Sequence, residues 1–158
     1  MNLRFVLVGN PHSSELEALY ATYAKRLQGY GTCRVDFVKE RKLPKKPAAT
    51  EIRKALEAES EDVLASLSRN DYLIALDVRG IQYDSNAFAS FFKDVTSEFP
   101  SIVFVIGSSY GLGDGIRKRA GFLWKLSALT FTHPLTLLVA MEQVFRAIKA
   151  GRGETYSK

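Results

Sequence analysis

The chain has 158 residues, 46% of them hydrophobic, which suits one folded domain (1–158) with an adequate core and excludes a disordered or low-complexity polypeptide. Lys and Arg exceed Asp and Glu by 22 to 17, a formal charge of +5, so an RNA or other anionic partner is permitted without being demanded. One cysteine, Cys33, and two histidines, His12 and His133, exclude an intrachain disulfide and a Cys- or His-rich metal cluster, and no apolar run approaches the ~20 residues of a membrane span.

The predicted elements alternate between strand and helix. Leu3–Val8 is a short apolar run closed by Gly9, Asn10 and Pro11, which reads as a first strand and turn rather than a signal peptide. The expected compartment is therefore the cytoplasm. Ser13 and Ser14 are candidate caps for a helix whose Leu16, Leu19, Tyr20, Tyr23 and Leu27 recur at helical spacing up to Gly29 and Gly31. Cys33 alternates with Val35 and Phe37 in a second strand, Cys33–Val38, as a core residue. Residues 39–49 form a basic, proline-containing loop. Thr50 is a candidate cap for a helix carrying Ile52, Ala55, Leu56, Val63, Leu64 and Leu67.

Tyr72–Val78 is a third strand, apolar apart from Asp77. Asp84 or Ser85 opens a helix with Phe88, Phe91, Phe92, Val95 and Phe99. Ile102–Ile106 is the fourth strand. Asp114 starts a short helix with Arg117, Lys118 and Arg119. Phe122–Ser127 is the fifth strand, and Pro134 suits the first turn of a final helix. Strands apolar on both faces need cover on both, so the fold class is α/β: a three-layer sandwich with a mainly parallel sheet.

Ligands in such sheets bind beyond the carboxyl ends of the strands. That rule gathers Leu76–Gly80, Gly107–Gly113 and Leu126–Thr132. The glycines at 107, 111 and 113 fit neither a dinucleotide fingerprint nor a phosphate-cradling Walker loop, so a tight turn and a ligand loop are both open readings. Leu126–Thr132 is rich in small and hydroxyl residues; its backbone can bond the edge of an adenine while Leu126 and Leu129 pack its faces, or it is a turn with a capping Thr. His133, just before Pro134, is a proton-transfer candidate or a structural contact. Asp77 either meets a ligand or caps a turn with Arg79 and Gly80. Basic residues cluster at 39–46, 117–119 and 146–158, the last group flanking Tyr156, a pairing of cation and aromatic suited to unstacked RNA bases.

Together these segments resemble the SPOUT-class methyltransferases, and most closely the family that methylates N3 of a pseudouridine in 23S rRNA. The matching residues are Asn2–Gly9, Leu76-Asp77, Val105-Ile106-Gly107, Gly111-Leu112, Leu126-Ser127-Ala128-Leu129-Thr130, His133-Pro134 and Arg152-Gly153-Glu154-x-Tyr156. The resemblance implies a C-terminal trefoil knot. It also implies an S-adenosylmethionine pocket lined by Leu76, Gly107, Leu126, Ser127, Ala128, Leu129, Thr130 and Phe131, with no metal. Further implied are a homodimer in which one subunit's tail completes the other's site, catalytic roles for His133, Arg152 and Tyr156, and 23S rRNA in the assembled ribosome as substrate. A non-catalytic ribosome-binding relative and a methyltransferase for another RNA are the alternatives. The chain departs from the family pattern at Ser108 (usually Gly), Leu137 (usually Arg, a cation able to face phosphate or a developing anion) and Ser157 (usually His).

Overall fold

The computed structural model describes residues 1–156. Its elements run β1 (Asn2–Val8), α1 (Ser14–Gln28), β2 (Thr32–Val38), α2 (Ala49–Ala65), β3 (Tyr72–Ile81), α3 (Ser85–Glu98), β4 (Ser101–Ile106), α4 (Asp114–Arg119), β5 (Phe122–Trp124) and α5 (His133–Gly151). The five strands form one sheet in the order β2-β1-β4-β3-β5, and every pairing is parallel. β1 sits in register with both neighbours, Phe5 opposite Val35 on one side and Phe104 on the other.

The period-2 alternation of the strands sorts the core into two halves. Leu3, Phe5 and Leu7 of β1, Ile74 and Leu76 of β3, and Ile102, Phe104 and Ile106 of β4 point to the face covered by α1, α3 and α5. Val6, Val8, Leu73, Ala75, Val103 and Val105 point to the opposite face, covered by α2 and α4 through Val63 and Ile116 and by Leu112 of the loop before α4. Bulky side chains therefore meet the three-helix layer and smaller ones the two-helix layer. An aromatic stack joins sheet to helices: Phe104 lies 4.7 Å from Phe5 and 6.0 Å from Phe92, and Phe88 stacks on Trp124 at 4.0 Å. Cys33 is buried in the same layer, and burial pushes its thiol up to about 12.

The α/β sandwich and the parallel sheet match the reading of the sequence; several boundaries move. Ser13, not Ser14, caps α1, accepting from the Leu16 N–H at 3.2 Å. Thr50 lies inside α2, which begins one residue earlier. There the Glu51 carboxylate accepts the Ala48 N–H at 3.1 Å, half of a capping box without the hydroxyl. Asp84 caps α3 through the Ala87 N–H at 2.8 Å. β3 extends to Ile81 across a register irregularity, and Ile81 pairs with Trp124. β5 ends at Trp124 rather than Ser127; after the Lys125 N–H bonds the Ile81 carbonyl, the chain leaves the sheet edge.

Truncation of Phe104, which is fully buried between β1 and α3, removes the centre of this stack. Phe104→Ala is expected to cost about 3–5 kcal/mol in urea unfolding. A loss below ~1 kcal/mol would contradict the packing described.

Candidate functional site

The candidate site lies at the carboxyl edge of β3, β4 and β5. Residues from all three strand-following loops line a cleft of about 770 Å³ there, within the usual range for a small-molecule site. Leu76, Ile106, Trp124, Leu126 and Phe131 supply apolar walls; Ser127, Thr130, Thr136 and His133 supply polar groups. Of the eight residues expected to form the pocket, Leu76, Gly107, Leu126, Ser127, Leu129, Thr130 and Phe131 line the cleft. Ala128 is the exception: it is exposed beside it.

The segment 126–131 is an open loop: Ala128, Leu129 and Thr130 are exposed, and Leu126, Ser127 and Phe131 half-buried. Here the Leu129 N–H bonds Ser127 Oγ at 3.0 Å, while the other N–H and C=O groups of 126–131 have no protein partner among the described residues. A half-buried loop holding out unpaired donors and acceptors over a cleft is suited to reading a heterocycle by its edge.

Close packing fixes the β4–α4 loop. A Cβ at Gly107 would stand 2.3 Å from the Gly111 carbonyl oxygen, so only glycine lets the loop fold back here. The Gly111 N–H closes that turn on the Ser108 carbonyl at 2.8 Å. Ser108 is buried, and its hydroxyl donates to Glu59 Oε2 at 2.9 Å; Glu59 Oε1 accepts the Arg41 N–H at 2.8 Å. One buried carboxylate on α2 thus holds both the β4–α4 loop and the basic 39–46 loop. Burial pushes the Glu59 carboxyl above its ordinary value, against the opposing pull of these two donors. The Ser108 hydroxyl therefore points to α2, while the residue also forms part of the cleft lining.

Asp77 resolves into a structural clasp. Its Oδ1 accepts the Arg79 N–H at 2.8 Å and its Oδ2 pairs with Arg117 Nε at 2.7 Å, tying β3 to α4. Arg119 bonds the Ser68 and Asp71 carbonyls. Of the 117–119 cluster, Lys118 is exposed and has no ion pair among the described residues.

His133 opens α5 at the cleft rim. The α5 start is anchored by the Tyr20 hydroxyl, which donates to the Pro134 carbonyl at 2.7 Å. At Gly9, where φ is +114°, a Cβ would meet both His133 Nε2 and Glu40 Oε2 at 3.3 Å, so imidazole and carboxylate converge on the end of β1.

The other two predicted catalytic residues are elsewhere in the protomer. Arg152 follows His133 by a 19-residue helix, which places it roughly 28 Å away along the axis. Its guanidinium covers the Tyr30 ring at 4.6 Å. Tyr156 packs edge-on against Phe145, with Arg146 4.3 Å over its ring, and burial together with the Glu142 carboxylate pushes its hydroxyl up to about 12. Glu154 holds the tail down through Tyr30 Oη and Lys149. Ser157 lies outside the described residues. Leu137 lies on the core-facing side of α5 and is fully buried.

Sequence reasoning missed Glu59, although a signal was present. It stands four residues after Ala55 and four before Val63, on the apolar face of α2, where a carboxylate needs partners. Because its folded pKa is raised, the folded state retains its proton to higher pH than the unfolded chain. Stability from this group is full below the unfolded value and falls as pH rises through the folded one. Urea unfolding of wild type and Glu59→Gln across pH 4–8 should show the difference in stability shifting toward the variant as pH rises; a pH-independent difference contradicts the assignment.

The sequence profile described as "Predicted SPOUT methyltransferase" matches residues 1–157. The "Ribosomal RNA large subunit methyltransferase H" of Clostridium acetobutylicum is 35% identical over 159 residues, covering all of both chains. That of Natranaerobius thermophilus is 37% identical, covering 99% of each. Among solved structures, a probable methyltransferase from Bordetella pertussis superposes with a TM-score of 0.56 at 16% identity, covering 93% of this chain and 94% of that one. A probable methylase family protein from Haemophilus influenzae superposes at 0.55, covering 99% and 70%. These two share the fold. The chain belongs to the SPOUT methyltransferase family.

Proposed function

We propose that the protein transfers a methyl group from S-adenosylmethionine to N3 of a pseudouridine in large-subunit 23S rRNA, acting in the cytoplasm as a homodimer on the assembled ribosome. Its whole length serves as one catalytic domain, and the return of the chain from β5 through 126–131 to α5 closes a trefoil knot. The observation that carries the cofactor assignment is the run of unpaired backbone groups at 126–131 over an apolar-walled cleft.

The residues present fit that cofactor. The cleft has the volume for it, its loops present backbone rather than bulk, and Leu126 and Phe131 offer apolar surface for a flat base. When bound, S-adenosylmethionine supplies a methyl group already activated on a sulfonium. The protein then has two tasks. The first is alignment of donor and acceptor, which supplies roughly 7–11 kcal/mol of a barrier. Gly107 and the 126–131 backbone perform it by fixing one reactant. The second is handling the proton of the imide N3–H. His133 stands at the cleft rim and accepts that proton. Arg152 and Tyr156 of the partner subunit stabilise the developing anion and grip the base.

The reading is tested by incubating the protein, labelled S-adenosylmethionine and ribosomes that lack the modification, then mapping the product. Label at one pseudouridine of 23S rRNA is the expected result; label on tRNA alone would replace the substrate. Gly107→Arg should abolish cofactor binding in calorimetry, and normal binding by that variant would sink the assigned cleft. A heterodimer of His133→Ala and Arg152→Ala subunits should regain about half of the wild-type activity, whereas each variant homodimer is inactive. An inactive heterodimer would contradict a site shared between subunits.

A further inference from the structure

A second cavity opens on the other side of the β4–α4 loop. It has a volume of about 790 Å³ and lies over the carboxyl ends of β1 and β2. Its floor includes Gly9 and Val38, and the loop 39–45 forms its outer wall. Ser109 and Tyr110 line both this groove and the cofactor cleft, so the two cavities share a wall.

We propose that this groove binds the phosphodiester backbone of a single-stranded RNA segment flanking the target nucleotide, delivering the base across Gly9 to His133. The inference rests on the methyltransferase reading above and names where its substrate lies. Four cationic residues, Lys39, Arg41, Lys42 and Lys45, line the groove against one carboxylate, Glu40. The lysines form no ion pair among the described residues, whereas Arg41 is pinned to α2 by Asp62 at 2.6 Å and by its own N–H on Glu59. The loop is thus fixed at Arg41 and presents free ammonium groups on a held backbone. Unpaired cations across a groove attract a polyanion and release its counterions.

Two aromatic faces complete the chemistry. Tyr110 is 47% exposed and Phe37 44%, both on the groove lining, and exposed aromatic rings beside cations are what unstacked bases pack against. The direction of delivery follows from Gly9. It belongs to the groove, yet its open side meets His133, which belongs to the cleft. A nucleotide whose phosphates lie along 39–45 therefore has its base directed past Gly9 toward His133, beside the Ser109–Tyr110 wall that the two cavities share. An acidic protein segment would satisfy the lysines but makes no use of Tyr110 and Phe37.

The test compares wild type with the triple variant Lys39→Ala, Lys42→Ala, Lys45→Ala, and with Tyr110→Ala and Tyr110→Phe. Binding of a short fluorescein-labelled oligouridylate is measured against salt. Loss of three phosphate contacts should flatten the slope of log K against log salt by about 2, at ~0.7 per contact for single strands. Tyr110→Ala should weaken binding about 10-fold and Tyr110→Phe should restore it. S-adenosylmethionine affinity, measured by calorimetry, should stay within about twofold in the triple lysine variant; for the Tyr110 variants, which touch both cavities, an unchanged urea unfolding midpoint shows that they are folded. An unchanged slope with intact cofactor binding overturns the groove. So does polyglutamate binding as tight as oligouridylate. A wild type that binds cofactor but labels no ribosomal RNA defeats the methyltransferase reading alone, since the oligouridylate slopes still decide what the groove binds.

Discussion

The carboxyl edge of this sheet depends on one topological constraint: the chain leaves β4 on the opposite face from both of its neighbours. After β1 and β3 the chain turns into α1 and α3 in the three-helix layer; after β4 it turns into α4 in the two-helix layer. Loops that diverge in this way cannot fill the space above the strands, so a crevice opens on each side of the β4–α4 loop. One is the 770 Å³ cleft toward β3 and β5 and the other the 790 Å³ groove toward β1 and β2. The partition between them is as thin as a loop can be, because Gly107 lies against the Gly111 carbonyl.

A thin partition needs rigid support from below, and Glu59 provides it. Burying a carboxylate is costly unless hydrogen bonds replace its water. Both Glu59 oxygens are used, one by the Ser108 hydroxyl on the partition and one by the Arg41 N–H on the outer wall of the groove. The same group therefore sets the spacing between the two walls. The Ser108 hydroxyl is what lets the partition reach α2. The Asp77–Arg117 pair does comparable work on the cleft side, holding β3 and α4 together.

How far the sequence alone reaches follows from the range of each interaction. Strands apolar on both faces, such as Leu73–Leu76 and Ile102–Ile106, announce a covered parallel sheet through local pattern alone. The loops that line the cleft are gathered by the rule that ligands sit beyond the carboxyl ends of parallel strands, while their small residues leave turn and ligand loop both open. What escaped depends on contacts distant in sequence. Asp77 can be read as ligand or cap until Arg117, 40 residues on, is seen beside it. Glu59 is inconspicuous among the acidic residues of α2 until Ser108, 49 residues away, takes its proton acceptor. Leu137 looked like a lost cation from its alignment to a motif, but the helical phase of α5 turns it into the core. Phe122–Ser127 overran its strand because the register irregularity in β3, not local propensity, decides where β5 stops pairing.

The separation of His133 from Arg152 and Tyr156 bears on why so small a chain would work in pairs. A 158-residue fold has already committed its carboxyl edge to two cavities and its three-helix face to core. The α5 axis carries the tail roughly 28 Å from the cleft, and no flexible linker between Gly151 and Tyr156 is long enough to bring it back at ~3.3–3.6 Å per residue. The tail instead ends in a compact set of rings and guanidinium groups around Tyr30, Phe145 and Tyr156. A second copy related by a two-fold axis can present this end of α5 to the other cleft, and the same operation presents the reverse, which is the economy of an isologous arrangement. Under the proposed homodimer, the groove at 39–45 would hold phosphates while the partner's tail would bring cations to the base. Neither needs the protomer to close around RNA, which a chain of this size has too little surface to do.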